Sequence, residues 1–93
     1  MKDVEEYIQG LPAAVQGTLA AHIVLLQQGE FSAISTKQLK GVLRELIVGD
    51  HRLVYFAEGS ALYFVDALRK KGRKTPSVVI ANAERIYKLF KQS

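Results

Sequence analysis

The residues best suited to chemistry crowd at Arg69, Lys70, Lys71, Arg73 and Lys74, five cations interrupted only by Gly72. Like charges this close repel, so the segment suits a solvated turn or a surface that recognises a polyanion. Arg52 adds a planar guanidinium whose paired donors match phosphate oxygens, and Glu45 adds a carboxylate that can accept a proton. Neighbouring cations favour the neutral form of a lysine, which suits Lys71 to the role of base. Tyr63 could stack on an unpaired base, and Arg85 could complete the site from a helix. Each residue also has a plainer reading. Arg52 and Glu45 would make a cross-strand ion pair, the lysines a solubilising loop, Tyr63 ordinary strand packing, and Arg85 a helix surface. His51 is an acid or base by residue type, but it ranks below Lys71 and Glu45 because the register below places it on a face packed by helices.

Three apolar, β-branched and aromatic runs must position these groups: Val42 to Val48, Arg52 to Ala57 and Ala61 to Leu68. Gly49-Asp50 and Glu58-Gly59 punctuate them as hairpin turns. The first turn sets Val48 opposite His51 and Ile47 opposite Arg52; the second sets Tyr55 opposite Leu62. One face then holds Leu46, Val48, Leu53, Tyr55, Leu62, Phe64 and Leu68, apolar enough to take a helical lid. The other holds Glu45, Arg52, Val54, Phe56 and Tyr63, which reads as a wet or ligand-facing surface.

The lid comes from the start of the chain. Asp3 with Glu6 approximates a capping box ahead of the stripe Val4, Ile8, Leu11, and Gly10 ends this first helix. Pro12 suits the first position of a second helix, with the stripe Val15, Leu19, Ile23, Leu26 and a stop at Gly29. His22 beside that stripe has no second histidine at ligand spacing, so no metal site is assigned. Glu30 to Lys40 is polar and aperiodic and reads as a loop, from which Lys37 and Lys40 add to a basic face. After Pro76 the stripe Val79, Ile80, Ala83, Ile86, Tyr87, Phe90 predicts an amphipathic last helix with Thr75 as its N-cap. The expected fold is α+β in one domain, residues 1–93: an N-terminal helical hairpin, an antiparallel meander of about three strands, and a C-terminal helix.

With 93 residues, a formal charge of +4 and no cysteine, the chain has the size of one small domain and a mild preference for acidic partners. It can offer neither disulfide, thiolate metal ligand nor thiol nucleophile. No run reaches the roughly 20 apolar residues of a membrane span, and the acidic opening does not suit a secretory signal. A cytosolic protein, without membrane contact and without a cofactor, is expected.

Arg-Lys-Lys-Gly-Arg-Lys-Thr-Pro at 69–76 with Ala-Asn-Ala-Glu-Arg at 81–85 resembles the basic turn and closing helix of the HigB-like, phage-derived branch of the RelE/ParE toxin superfamily. Glu45-Leu46 with His-Arg-Leu-Val-Tyr at 51–55 is similar to that branch's central hairpin, and Val-Glu-Glu-Tyr-Ile with Leu-Pro at 4–12 to its opening helices. The resemblance implies a type II toxin held inactive by a helix-turn-helix antitoxin, with which it would form a hetero-oligomer, and cleaving messenger RNA at the ribosome without a metal. It implies catalytic roles for Arg52, Lys71 and Glu45, and RNA contacts for Lys70, Arg73, Lys74, Tyr63 and Arg85. Three departures stand out. The family's strand before the first helix has no counterpart in these residues, so either an earlier start supplies it or it has been lost; Ile47 stands where the family often has arginine, and Asp66-Ala67-Leu68 replaces a His-Gly-Phe run. The last two favour an alternative, a ParE-like gyrase inhibitor or a degenerate toxin that retains only antitoxin binding.

Overall fold

The computed structural model describes residues 2–70 and 74–92. Helices α1 (Lys2–Gln9) and α2 (Ala13–Gln27) precede a short 3-10 turn and four strands, β1 (Ser35–Lys40), β2 (Leu43–Val48), β3 (His51–Glu58) and β4 (Ala61–Arg69); α3 (Ser77–Gln92) follows. The strands form one antiparallel sheet in the order β1-β2-β3-β4. This is the expected α+β architecture with one strand more. β1 occupies part of the stretch that reads as a loop. It is an edge strand in which only Thr36 and Leu39 are even half-buried, so its sequence carries no apolar alternation to betray it. Its lysines also suit an edge that should not pair further.

α1 and α2 cover one face, as expected. Val4, Leu19 and Leu26 pack with Leu46, Val48, Leu53 and Tyr55 into one buried cluster, to which Ile8, Leu11, Val15 and Ile23 add. α2 starts one residue later than Pro12 suggests. Pro12 is extended, with φ −56° and ψ 148°, and its carbonyl accepts the first helical bonds from Val15 and Gln16. α1 begins at Lys2 rather than after Asp3, and the Asp3 side chain lies outside what the structure describes.

The β2-β3 register is the expected one, with Val48 opposite His51 and Ile47 opposite Arg52. The β3-β4 register is not. Its turn is Gly59-Ser60, so Ala57 meets Leu62 and Tyr55 meets Phe64. Gly49 and Gly59 have φ of 59° and 61°, and no other residue type among those described has positive φ. A two-residue turn with only its first residue at positive φ is of type II′, which needs the glycine first. That requirement moves the turn one residue past Glu58-Gly59.

A bulge follows. Between Val54 and Tyr55 the pairing shifts and β4 carries an extra residue. Ala67 therefore joins the α1-α2 face, and Leu68 turns to the opposite one. That opposite face is largely covered, contrary to the wet surface expected. α3 crosses it, and Leu43, Val54, Phe56, Val65 and Ala83 are buried together with Val79, Ile80, Ile86, Tyr87 and Phe90 around them.

Candidate nucleic-acid interface

The hairpin at Gly49-Asp50 and the end of β4 bring Arg52 and Lys70 to one end of the sheet. Arg52 lies on the α3 face, opposite Ile47 on β2 and Leu68 on β4. Its Nη1 donates to the carbonyls of Gly49 at 2.7 Å and His51 at 3.1 Å. These bonds close the guanidinium over its own turn. The ion pair with Glu45 is not formed. Nε of Arg52 is buried without a hydrogen bond, and both bonds use the same nitrogen, so the fork keeps unused donors.

Glu45 is fully buried. It sits on β2 between Lys37 of β1 and Val54 of β3, on the face that α3 covers. The Thr75 hydroxyl donates a short hydrogen bond to its Oε2, and the Lys70 ammonium lies 4.0 Å from its Oε1. α3 begins at Ser77, and the Val79 and Ile80 amides donate to the Pro76 carbonyl, so Pro76 rather than Thr75 stands at the N-cap position. Lys70 is itself 8% exposed, and its amide donates to the Asp50 carbonyl at 2.8 Å. In this arrangement Glu45 and Lys70 meet each other rather than solvent. Lys74 is exposed. Lys71, Gly72 and Arg73 lie outside the described residues.

Tyr63 and Arg85 do not join this cluster. Tyr63 stacks on Phe56 with ring centres 5.3 Å apart and tilts against Phe90 at 4.7 Å. Phe56 lies four residues along β3 from Arg52, roughly 13 Å. Tyr63 is therefore part of the aromatic packing under α3. Arg85 is exposed on α3 and donates to Asn82 Oδ1 at 2.6 Å.

His51 is on the opposite face, as the register requires. Its Nδ1 pairs with the Tyr7 hydroxyl at 2.7 Å, and the two rings meet edge to face at 5.8 Å. Burial pushes the Tyr7 hydroxyl pKa up, and Asp50 pushes it further, while Arg69 opposes them. Asp66 turns its carboxylate onto the amide of Ala67 at 2.8 Å. Among the described residues no group of three or more His, Asp or Glu could hold a metal ion, and no helix is long and apolar enough to cross a membrane.

Sequence reasoning missed Thr75 as a partner of Glu45. One signal pointed there. Glu45 is a carboxylate in the run Leu-Arg-Glu-Leu-Ile-Val, on the same strand face as Leu43 and Ile47, and a charge so placed needs a buried partner.

Residues 6–88 match the family model described as phage-derived protein Gp49-like (DUF891). The chain belongs to the Gp49-like family. This is a toxin-like family related to RelE and HigB, and the match runs from within α1 through most of α3, including Glu45, Arg52 and the basic segment. Comparison with curated proteins and with solved structures yields no match.

Proposed function

We propose that this Gp49-like chain is the toxin of a type II toxin–antitoxin pair and acts on messenger RNA at the ribosome. The observation that carries the reading is Arg52, with unused donors on its guanidinium, on the sheet face from which Glu45 meets Lys70 and Thr75. In the reaction a ribose 2′-hydroxyl attacks the adjacent phosphorus and the bond to the 5′-oxygen breaks. The products are a 2′,3′-cyclic phosphate and a 5′-hydroxyl. A base takes the proton from the 2′-hydroxyl, an acid returns one to the leaving oxygen, and cations stabilise the charge growing on the phosphate. Arg52 takes the last task, with Lys74 and Arg73 along the backbone. Lys71 serves as base. Glu45, sealed beneath Thr75 and Lys70, supports the site from below rather than touching RNA. A helix-turn-helix antitoxin holds the toxin inactive in the cytoplasm.

One observation favours a second reading, a toxin that binds without cutting. Among the described residues, three candidate acid–base groups are committed elsewhere: Glu45 is buried, His51 pairs with Tyr7 on the opposite face, and Asp66 holds a backbone amide. Primer-extension mapping of cellular messenger RNA after induced expression separates the two. The nuclease reading expects cuts inside translated frames that fall about 100-fold in Arg52→Ala, the loss typical of removing one donor to a transition-state charge. Growth arrest without cuts moves the target to gyrase or another protein.

A further inference from the structure

The chain brings the end of β4 and the approach to α3 onto a single carboxylate. Lys70 follows β4 directly, and Thr75 stands two residues before α3. Both reach Glu45, which belongs to neither element but projects from β2 in the middle of the sheet. The side chains of Glu45 and Lys70 are 1% and 5% exposed, so the clasp is sealed from solvent. Backbone bonds brace each arm: Lys70 N–H on the Asp50 carbonyl, and the first turn of α3 on the Pro76 carbonyl.

Stability alone accounts poorly for such an arrangement. A buried ion pair returns little more than its own desolvation cost, and apolar residues of similar volume often serve a fold as well or better. What a buried pair does supply is a fixed geometry, because each charge tolerates few alternative positions. Oε1 of Glu45 makes no hydrogen bond and faces the Lys70 ammonium instead. Its two oxygens thus hold two different chain segments. Resting on the RNA-directed reading above, we infer that Glu45 is a positioning residue. By joining Lys70 to Thr75 it fixes where Lys74 stands relative to Arg52, and so sets the spacing of the cations that meet an RNA backbone.

Two measurements on the full chain test this, one without RNA. Limited trypsin digestion under conditions where every variant is folded reads the clasp directly. Glu45→Gln, which keeps an acceptor for Thr75 but loses the charge facing Lys70, should speed cleavage after Lys70 and Lys74 severalfold and leave cleavage after Arg85 and Lys88 unchanged. Thr75→Val should do the same, and Thr75→Ser should restore the slow rate. Equal cleavage in wild type and both loosened variants would overturn the clasp.

The second measurement follows binding of a short single-stranded RNA with 2′-O-methyl riboses, which cannot be cleaved, as salt is raised. Each phosphate contact to a single strand contributes about 0.7 to the slope of log K against log salt. Glu45→Gln should lower that slope by about 0.7 to 1.4, one or two contacts, and weaken binding about tenfold at low salt. A lower melting temperature with unchanged slope and affinity would make Glu45 merely structural and overturn the positioning role. Wild-type protein that shows no salt-dependent RNA binding would instead remove the RNA reading, with the digestion result still deciding whether the clasp exists.

Discussion

The sheet face beneath α3 has two unlike ends. At the end carrying the Gly59-Ser60 turn, Phe56 is enclosed by Tyr63, Tyr87 and Phe90, with ring centres 4.8 to 5.3 Å from its own. At the Gly49-Asp50 end the same strands carry Arg52, Glu45 and the start of the basic segment. One helix makes the difference. α3 covers the first end with its apolar stripe, and at the second its approach is tied down through Thr75. Apolar contact is non-directional and fixes α3 on the sheet, whereas the charged contacts fix distances between particular atoms. The first end should therefore govern stability, and the second should govern function at a smaller cost in stability.

The largest test of this division is Phe56→Ala. Phe56 is 1% exposed, and its loss should cost about 3–5 kcal/mol, a large share of the 5–15 kcal/mol typical of a small domain. Urea unfolding would measure it. RNA affinity per folded molecule should stay unchanged, and a parallel loss of affinity would break the comparison. Next comes the clasp. Glu45→Leu removes the carboxylate that faces the buried Lys70 ammonium and should cost about 3 kcal/mol, while Glu45→Leu with Lys70→Met should cost clearly less than either change alone. Additive costs in that double-mutant cycle would mean that the two charges do not interact.

Tyr7→Phe is smaller, about 1 kcal/mol for the bond to His51, and it carries a pH signature. Burial raises the Tyr7 pKa above its ordinary 10.0. The folded state thus holds its proton to higher pH than the unfolded chain does. The stabilisation is complete below pH 10.0 and is lost as pH climbs from there through the folded value. Stability curves of wild type and Tyr7→Phe should converge across that window. The smallest effect belongs to Lys40→Ala, which removes an exposed pair with Glu84 at 3.2 Å and should change stability by less than about 0.5 kcal/mol.

Much of the fold was legible in the residues. The stripes of α1, α2 and α3 repeat every three or four positions, and Gly49 marks a hairpin whose register follows from the turn. The α1-α2 core came out nearly whole, with only Leu68 misplaced. Its misplacement has a single cause, the extra residue in β4, since one added residue exchanges the faces of everything beyond it. β1 escaped notice because a polar edge strand lacks the alternation that announces a half-buried one. Of the candidate site, Arg52 could be placed on its face and beside Ile47, but its bonds to its own turn could not be anticipated.

Local order, then, was determined by the sequence itself: which segments become helix or strand, where glycine must turn the chain, and which stripe each helix buries. These depend on neighbours a few residues apart, whose geometry the backbone fixes. The tertiary structure alone decided that α3 crosses the sheet's second face, that this face is dry at one end, and that Glu45 meets Lys70 and Thr75 rather than Arg52. Those outcomes depend on residues 25 and 30 positions apart, brought together only when helix and sheet close over a charge that cannot stay buried alone.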